Sequence, residues 1–295
     1  PFVLHRRCVR AAVFETETES TLLLTAHHLV MDGLSLWVAI AELAALIVSE
    51  CDGRASSLGP PTPLTAAHSG SSSDTSLEFW SGFLHDATIP LRAVPRLETA
   101  SSGHVSTIEI DIAPSVLAAV QEAARASSVT SFSVLLTAFA TTIIRASGER
   151  CGTIGTAVHG RRSEDARAIG YFSRLLPLPV RPSPDETAAE AIARTHREFG
   201  LAREHAHVPF AEIVACTARE QLVEARPLVR SVLSHLRIPA DLERALDPLG
   251  ARLVPVAQQQ EQFDLVFEVV EHGPRTSLTV KFDPKSYGCD DAAAL

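Results

Sequence analysis

Residues 27–33 read His27-His28-Leu29-Val30-Met31-Asp32-Gly33, and the stretches on either side fix their setting. Before them, Thr21-Leu22-Leu23-Leu24-Thr25-Ala26 is apolar and β-branched, and residues 8–17 form a similar run across the polar Glu17-Thr18-Glu19-Ser20. Two adjacent strands, 8–17 and 20–26, are predicted. After them, Leu36, Ile40, Leu43, Ala44 and Ile47 recur at helical spacing across Ser35–Val48, with Asp32 or Ser35 available as N-cap. The paired histidines therefore occupy a strand-to-helix loop.

Adjacent side chains at a strand end point in different directions, so one imidazole at most reaches a shared substrate atom while the other packs or bonds locally. A histidine, with a reference pKa of about 6.5, can take a proton from an amine or hydroxyl nucleophile at neutral pH, which suits acyl transfer. Asp32 can orient an imidazole or pair with a distant arginine, and Gly33 permits a turn or close approach to a substrate. The plainer reading is a satisfied loop with Asp32 as a helix cap. Metal binding fits poorly, because neighbouring histidines lack the i, i+4 spacing of helical zinc pairs and no third ligand is evident.

Outward from the motif, residues 52–75 are rich in Gly, Ser, Pro and Thr and read as a surface crossing. A short helix holding Phe79, Trp80 and Phe83 follows, then a connection over 88–103 that marks a lobe boundary. Beyond it a strand is predicted over Val105–Ile112 and helices over 114–127 and 131–147. Apolar segments 151–158 and 174–181, a helix from Glu186 to about His205, a short helix from Pro209, and strands near 230–236, 263–271 and 276–282 complete an α/β chain without internal repeats.

The 295 residues, 46% hydrophobic, suffice for a substantial core in one domain or two lobes. The net charge of -9 is dispersed, and no basic run is long enough to track phosphates, so nucleic acid is not an expected partner. Five scattered cysteines, Cys8, Cys51, Cys151, Cys216 and Cys289, form no CxxC pair and point to neither a disulfide framework nor zinc, which fits a cytoplasmic location. No apolar run is read as approaching the ~20 residues of a bilayer span, so no membrane partner is expected. The single methionine, Met31, lies inside the motif, which is read as the mark of a fragment.

The stretch 27–33 with Leu34-Ser35 resembles the HHxxxDG signature of condensation domains of nonribosomal peptide synthetases. Further elements follow in the family's order: Gly160-Arg161; Ile169-Gly170-Tyr171-Phe172-Ser173-Arg174-Leu175-Leu176-Pro177-Leu178; His207-Val208-Pro209-Phe210; Arg226-Pro227-Leu228; and Gln262-Phe263-Asp264-Leu265. Each is short, so their order and spacing carry the weight. Residues 63–70 do not reproduce an aromatic YxDYA element. Ala157 stands where epimerisation domains resemble a pattern with Glu, His27 where heterocyclisation domains have Asp, and no DFGWG element of plant-type acyltransferases occurs.

The resemblance implies a two-lobed, chloramphenicol acetyltransferase-like α/β fold with a tunnel between lobes: an incomplete N-terminal lobe over 1–98 and a slightly truncated C-terminal lobe over 99–295. It implies amide formation between acyl groups delivered on the phosphopantetheine arms of donor and acceptor peptidyl carrier proteins, with an adenylation domain in cis and no cofactor bound by the domain itself. By the same resemblance His28 is catalytic, as general base or by positioning the amine, and His27 is structural. Asp32 holds the loop through a salt bridge to Arg161, and the Gly33 N–H faces the thioester oxyanion. Ser35, Tyr171 and Ser173 line the tunnel. An ester-forming acyltransferase and an inert or recruitment module remain as alternatives.

Overall fold

The structure is a computed structural model that describes residues 2, 7–56, 58–63, 73–87, 89–93, 105–221, 227–254, 256, 262–284 and 287–295. The expected lobe boundary at 98/99, residues 64–70 of the stretch compared with the aromatic element, and Arg226 fall outside these residues. Contacts divide the chain into two compact units that interleave in sequence: Pro1–His68, His159–Ser173 and Ile238–Val254 form one, and Ser69–Val158, Arg174–Arg237 and Pro255–Leu295 the other.

In the first unit, β1 (Val9–Glu15) and β2 (Ser20–Ala26) form an antiparallel hairpin with Val9 opposite Ala26 and Glu15 opposite Ser20. The Thr16 Oγ1 closes its turn by accepting from the Glu19 N–H at 3.0 Å. Val13 and Phe14 point to opposite faces and are both exposed. Helix α1 (Gly33–Cys51) starts two residues before the expected Ser35, because Asp32 is the cap and accepts from the Ser35 N–H. It contacts a short helix at Ala240–Leu246, whose Leu242 is fully buried. With 19 residues and a mean hydropathy of 1.8, α1 has the length and composition of a membrane span, contrary to the sequence reading. Within α1, Glu42 is paired with Arg167 at 2.7 Å.

The second unit is a mixed sheet with helices. The strands are β3 (Ser106–Asp111), β4 (Gly152–His159), β5 (Ser173–Val180), β6 (Ser231–Arg237), β7 (Leu265–His272) and β8 (Arg275–Phe282), in the order β3-β8-β7-β6-β4-β5. Pairs β3/β8 and β8/β7 are antiparallel, whereas β7/β6 and β6/β4 are parallel and require crossover segments between them. Each strand lies where an apolar run was read. The helices are α2 (Asp74–Leu84), α3 (Pro114–Ala126), α4 (Ser131–Ser147), α5 (Ala188–Glu204), α6 (Phe210–Gln221) and a short one at Cys289–Ala294.

Helix α4 shows why this packing forms. Leu136, Phe139, Ala140, Ile143 and Ile144 repeat at i, i+3, i+4, i+7 and i+8 and are all buried. Thr130 caps its start, and Gly148 ends it at φ 70°, a left-handed conformation costly for any residue with a Cβ. Trp80 of α2 is fully buried in the same core, its indole N–H donating to the His205 carbonyl at 3.2 Å.

Candidate active site

The two histidines leave β2 in different roles. The His27 Nδ1 accepts from the Leu29 N–H at 3.2 Å, and its own carbonyl accepts from Val30, so this ring helps tie the turn. The His28 Nδ1 lies 3.2 Å from the Met31 carbonyl. A carbonyl can only accept, so Nδ1 carries the proton, and the neutral ring has its lone pair on Nε2. His28 is exposed, which leaves Nε2 open to a proton donor from outside the loop.

The loop is locked from beneath. Asp32, 2% exposed, accepts from the Ser35 N–H at 2.8 Å and Arg161 Nη2 at 3.0 Å through Oδ1, and from the Phe172 N–H at 3.0 Å through Oδ2. Burial pushes its carboxyl pKa up, but the hydrogen bonds from Ser35, Phe172 and Arg161 outweigh it and hold the group below its ordinary value. The Arg161 side chain, only 6% exposed, forms an ion pair with Asp32. It also donates through Nη1 to the carbonyls of Asp165 at 3.0 Å and Ala168 at 2.6 Å. Its guanidinium stands 4.1 Å from the centroid of the Phe172 ring, and its buried Nε has no hydrogen-bond partner among the described residues.

The geometry thus brings together His28, Asp32, Arg161 and Tyr171 from segments more than a hundred residues apart. Ser35 was expected on a tunnel wall and is instead fully buried. Its hydroxyl donates to the Gly170 carbonyl at 2.7 Å and accepts from the Gly170 N–H at 3.0 Å and from Arg161, which uses its whole capacity. Tyr171 is 45% exposed and meets the His28 ring edge-on, with centroids 5.3 Å apart. Ser173 is half-buried at the start of β5. Gly33 has no positive φ, and a Cβ there would meet nothing within 4 Å, so no contact within the described chain requires glycine at this position. The sequence reading did not single out Gly170 or the carbonyls of Asp165 and Ala168, because backbone acceptors leave no trace in residue identity. Among the described residues no His, Cys, Asp and Glu side chains cluster in a way that could hold a metal ion.

A family model described as "Condensation domain" matches residues 1–290. The chain belongs to the condensation-domain family. The domain is 30% identical over 234 residues, 75% of its length, to malpinin synthetase of Mortierella alpina. It is 28% identical over 293 residues, 92% of its length, to a nonribosomal peptide synthetase of Curvularia clavata. It spans only 3% and 2% of those two relatives. The X-domain from teicoplanin biosynthesis shares its fold at a TM-score of 0.78 and 21% identity, over 99% of this chain and 71% of that one. The first condensation domain of the CDA synthetase does so at 0.73 and 18%, over 97% and 64%. These likenesses give the condensation domain its fold class, the chloramphenicol acetyltransferase-like mixed α/β fold. Since an X-domain and a condensation domain match it almost equally, the fold alone does not select a reaction.

Proposed function

We propose that this condensation domain joins two carrier-borne acyl groups through an amide bond, with His28 as the acting side chain. The observation that carries the reading is the exposed His28 imidazole, whose Nδ1–H is spent on the Met31 carbonyl, so that its second nitrogen, Nε2, is the one left for a substrate proton. In the proposed reaction, the acceptor amine on one phosphopantetheine arm attacks the donor thioester carbonyl on another. The C–N bond forms, the carbonyl π electrons move to oxygen, and His28 Nε2 takes a proton from the nitrogen. Collapse of the tetrahedral intermediate breaks the C–S bond, and the thiolate receives that proton. An α-amine with a pKa near 8 is already partly deprotonated at pH 7, so much of the contribution of His28 is to hold the nitrogen on line. The phosphopantetheine arms are substrates here, brought by donor and acceptor peptidyl carrier proteins, with an adenylation domain in the same polypeptide.

Two further observations support this reading. Ala157 is exposed and has no ionisable group, so the second acid or base that proton exchange at carbon requires is not supplied there. The second is the intact run His27-His28-Leu29-Val30-Met31-Asp32-Gly33, which a module that only binds a partner has no need to keep. The remaining roles follow: His27 ties the turn, Asp32 and Arg161 hold the loop, and the Gly33 N–H, at the first position of α1, stabilises the oxyanion. Replacing His28 with Ala is expected to lower amide formation between two carrier-bound acyl groups at least ~100-fold. Undiminished product would remove His28 from this role.

A further inference from the structure

Tyr171 is the large aromatic side chain that the fold leaves in the open beside the acting histidine. Its ring meets the His28 ring at 87° with centroids 5.3 Å apart, the edge-to-face arrangement that aromatic pairs favour. The backbone on both sides of it is fixed. Gly170 is bound through its N–H and carbonyl to the Ser35 hydroxyl, and its carbonyl also accepts from the Asp32 N–H at 3.1 Å. Phe172 donates its N–H to Asp32 and has its ring buried under the Arg161 guanidinium. The network that holds the histidine loop therefore also presents Tyr171, whose remaining freedom is its own rotamers. His28 needs such a neighbour, because a single 3.2 Å hydrogen bond to the Met31 carbonyl leaves an exposed ring able to turn over and lose its tautomer.

We propose that Tyr171 is a positioning residue for His28, confining the imidazole to the orientation in which Nε2 faces the substrates; this rests on the reading of His28 given above. The recorded contact with His28 is made by the ring of Tyr171. Phenylalanine should therefore substitute for it, and a side chain without a ring face should not.

The test is amide formation from carrier-bound donor and acceptor by the whole chain carrying Tyr171→Phe, Tyr171→Leu or Tyr171→Ala, each alone and combined with His28→Ala. Expected is a kcat within about twofold of the parent for Phe and about 3–10-fold lower for Leu and Ala, with KM little changed. No further loss is expected on the His28→Ala background. Nitrogen-15 NMR of the His28 ring should show one tautomer in the parent and in Tyr171→Phe, and averaging in Tyr171→Ala. The proposal is overturned if Phe loses as much as Ala, if Leu and Ala lose nothing, if their loss persists without His28, or if the ring signals do not change. Full activity of His28→Ala alone would instead remove the functional reading, and the NMR comparison would still decide whether Tyr171 orients the ring. Leu preserves side-chain bulk, so it serves where Ala lowers the melting temperature.

Discussion

The physical case for Asp32 and Arg161 lies in what they satisfy. One carboxylate accepts from two backbone amides and a guanidinium, and that guanidinium in turn closes two carbonyls of the 161–168 turn. Removing one partner leaves a buried charge without compensation, so Asp32→Ala should cost about 3–5 kcal/mol in urea unfolding. Arg161→Lys should fail as a conservative change, because an ammonium offers no planar fork for four acceptors and no flat face for Phe172. Its melting temperature should fall nearly as far as that of Arg161→Ala. The pH dependence has a defined sign. The Asp32 carboxyl titrates at about 3.8 when unfolded and lower when folded, so its contribution is complete above that value and is lost as pH falls through the folded pKa. An acid titration should show this loss below about pH 4 in the parent and not in Asp32→Asn.

Helices and strands were legible almost throughout, because their signals are local. The α4 stripe, the α5 start and the apolar strand runs each follow from periodicity and capping within a short window. At α5, Thr187 and Glu190 form a reciprocal capping box, so Thr187→Ala should cost roughly 0.5–2 kcal/mol, read from the denaturation midpoint. Strand β5 lies at the sheet edge and carries Pro177 and Pro179, two apart and so without donors on the same side. At α1 the helix begins two residues before the expected Ser35, because Asp32 takes the capping role, and it has the length and composition of a span.

The two tryptophans fall one in each unit, Trp37 in α1 and Trp80 in the core of the other, so each unit has its own reporter. In protein labelled with 5-fluorotryptophan, lowering the pH below about 4 should move the Trp37 resonance before that of Trp80. The same titration of Asp32→Asn should show no separate movement of the Trp37 resonance over this range. A simultaneous change in the parent would mean that the Asp32 network does not govern the first unit separately.

Residue order alone was enough for the α/β class, for nearly every helix and strand, and for the family. All of these are written in runs, spacings and short motifs. Folding in three dimensions was needed to bury Ser35 against Gly170, to set the tautomer of His28 by a carbonyl three residues on, and to bring Tyr171 to its ring. Those outcomes depend on backbone groups and on contacts across more than a hundred residues, and neither is carried by the identity of any one side chain.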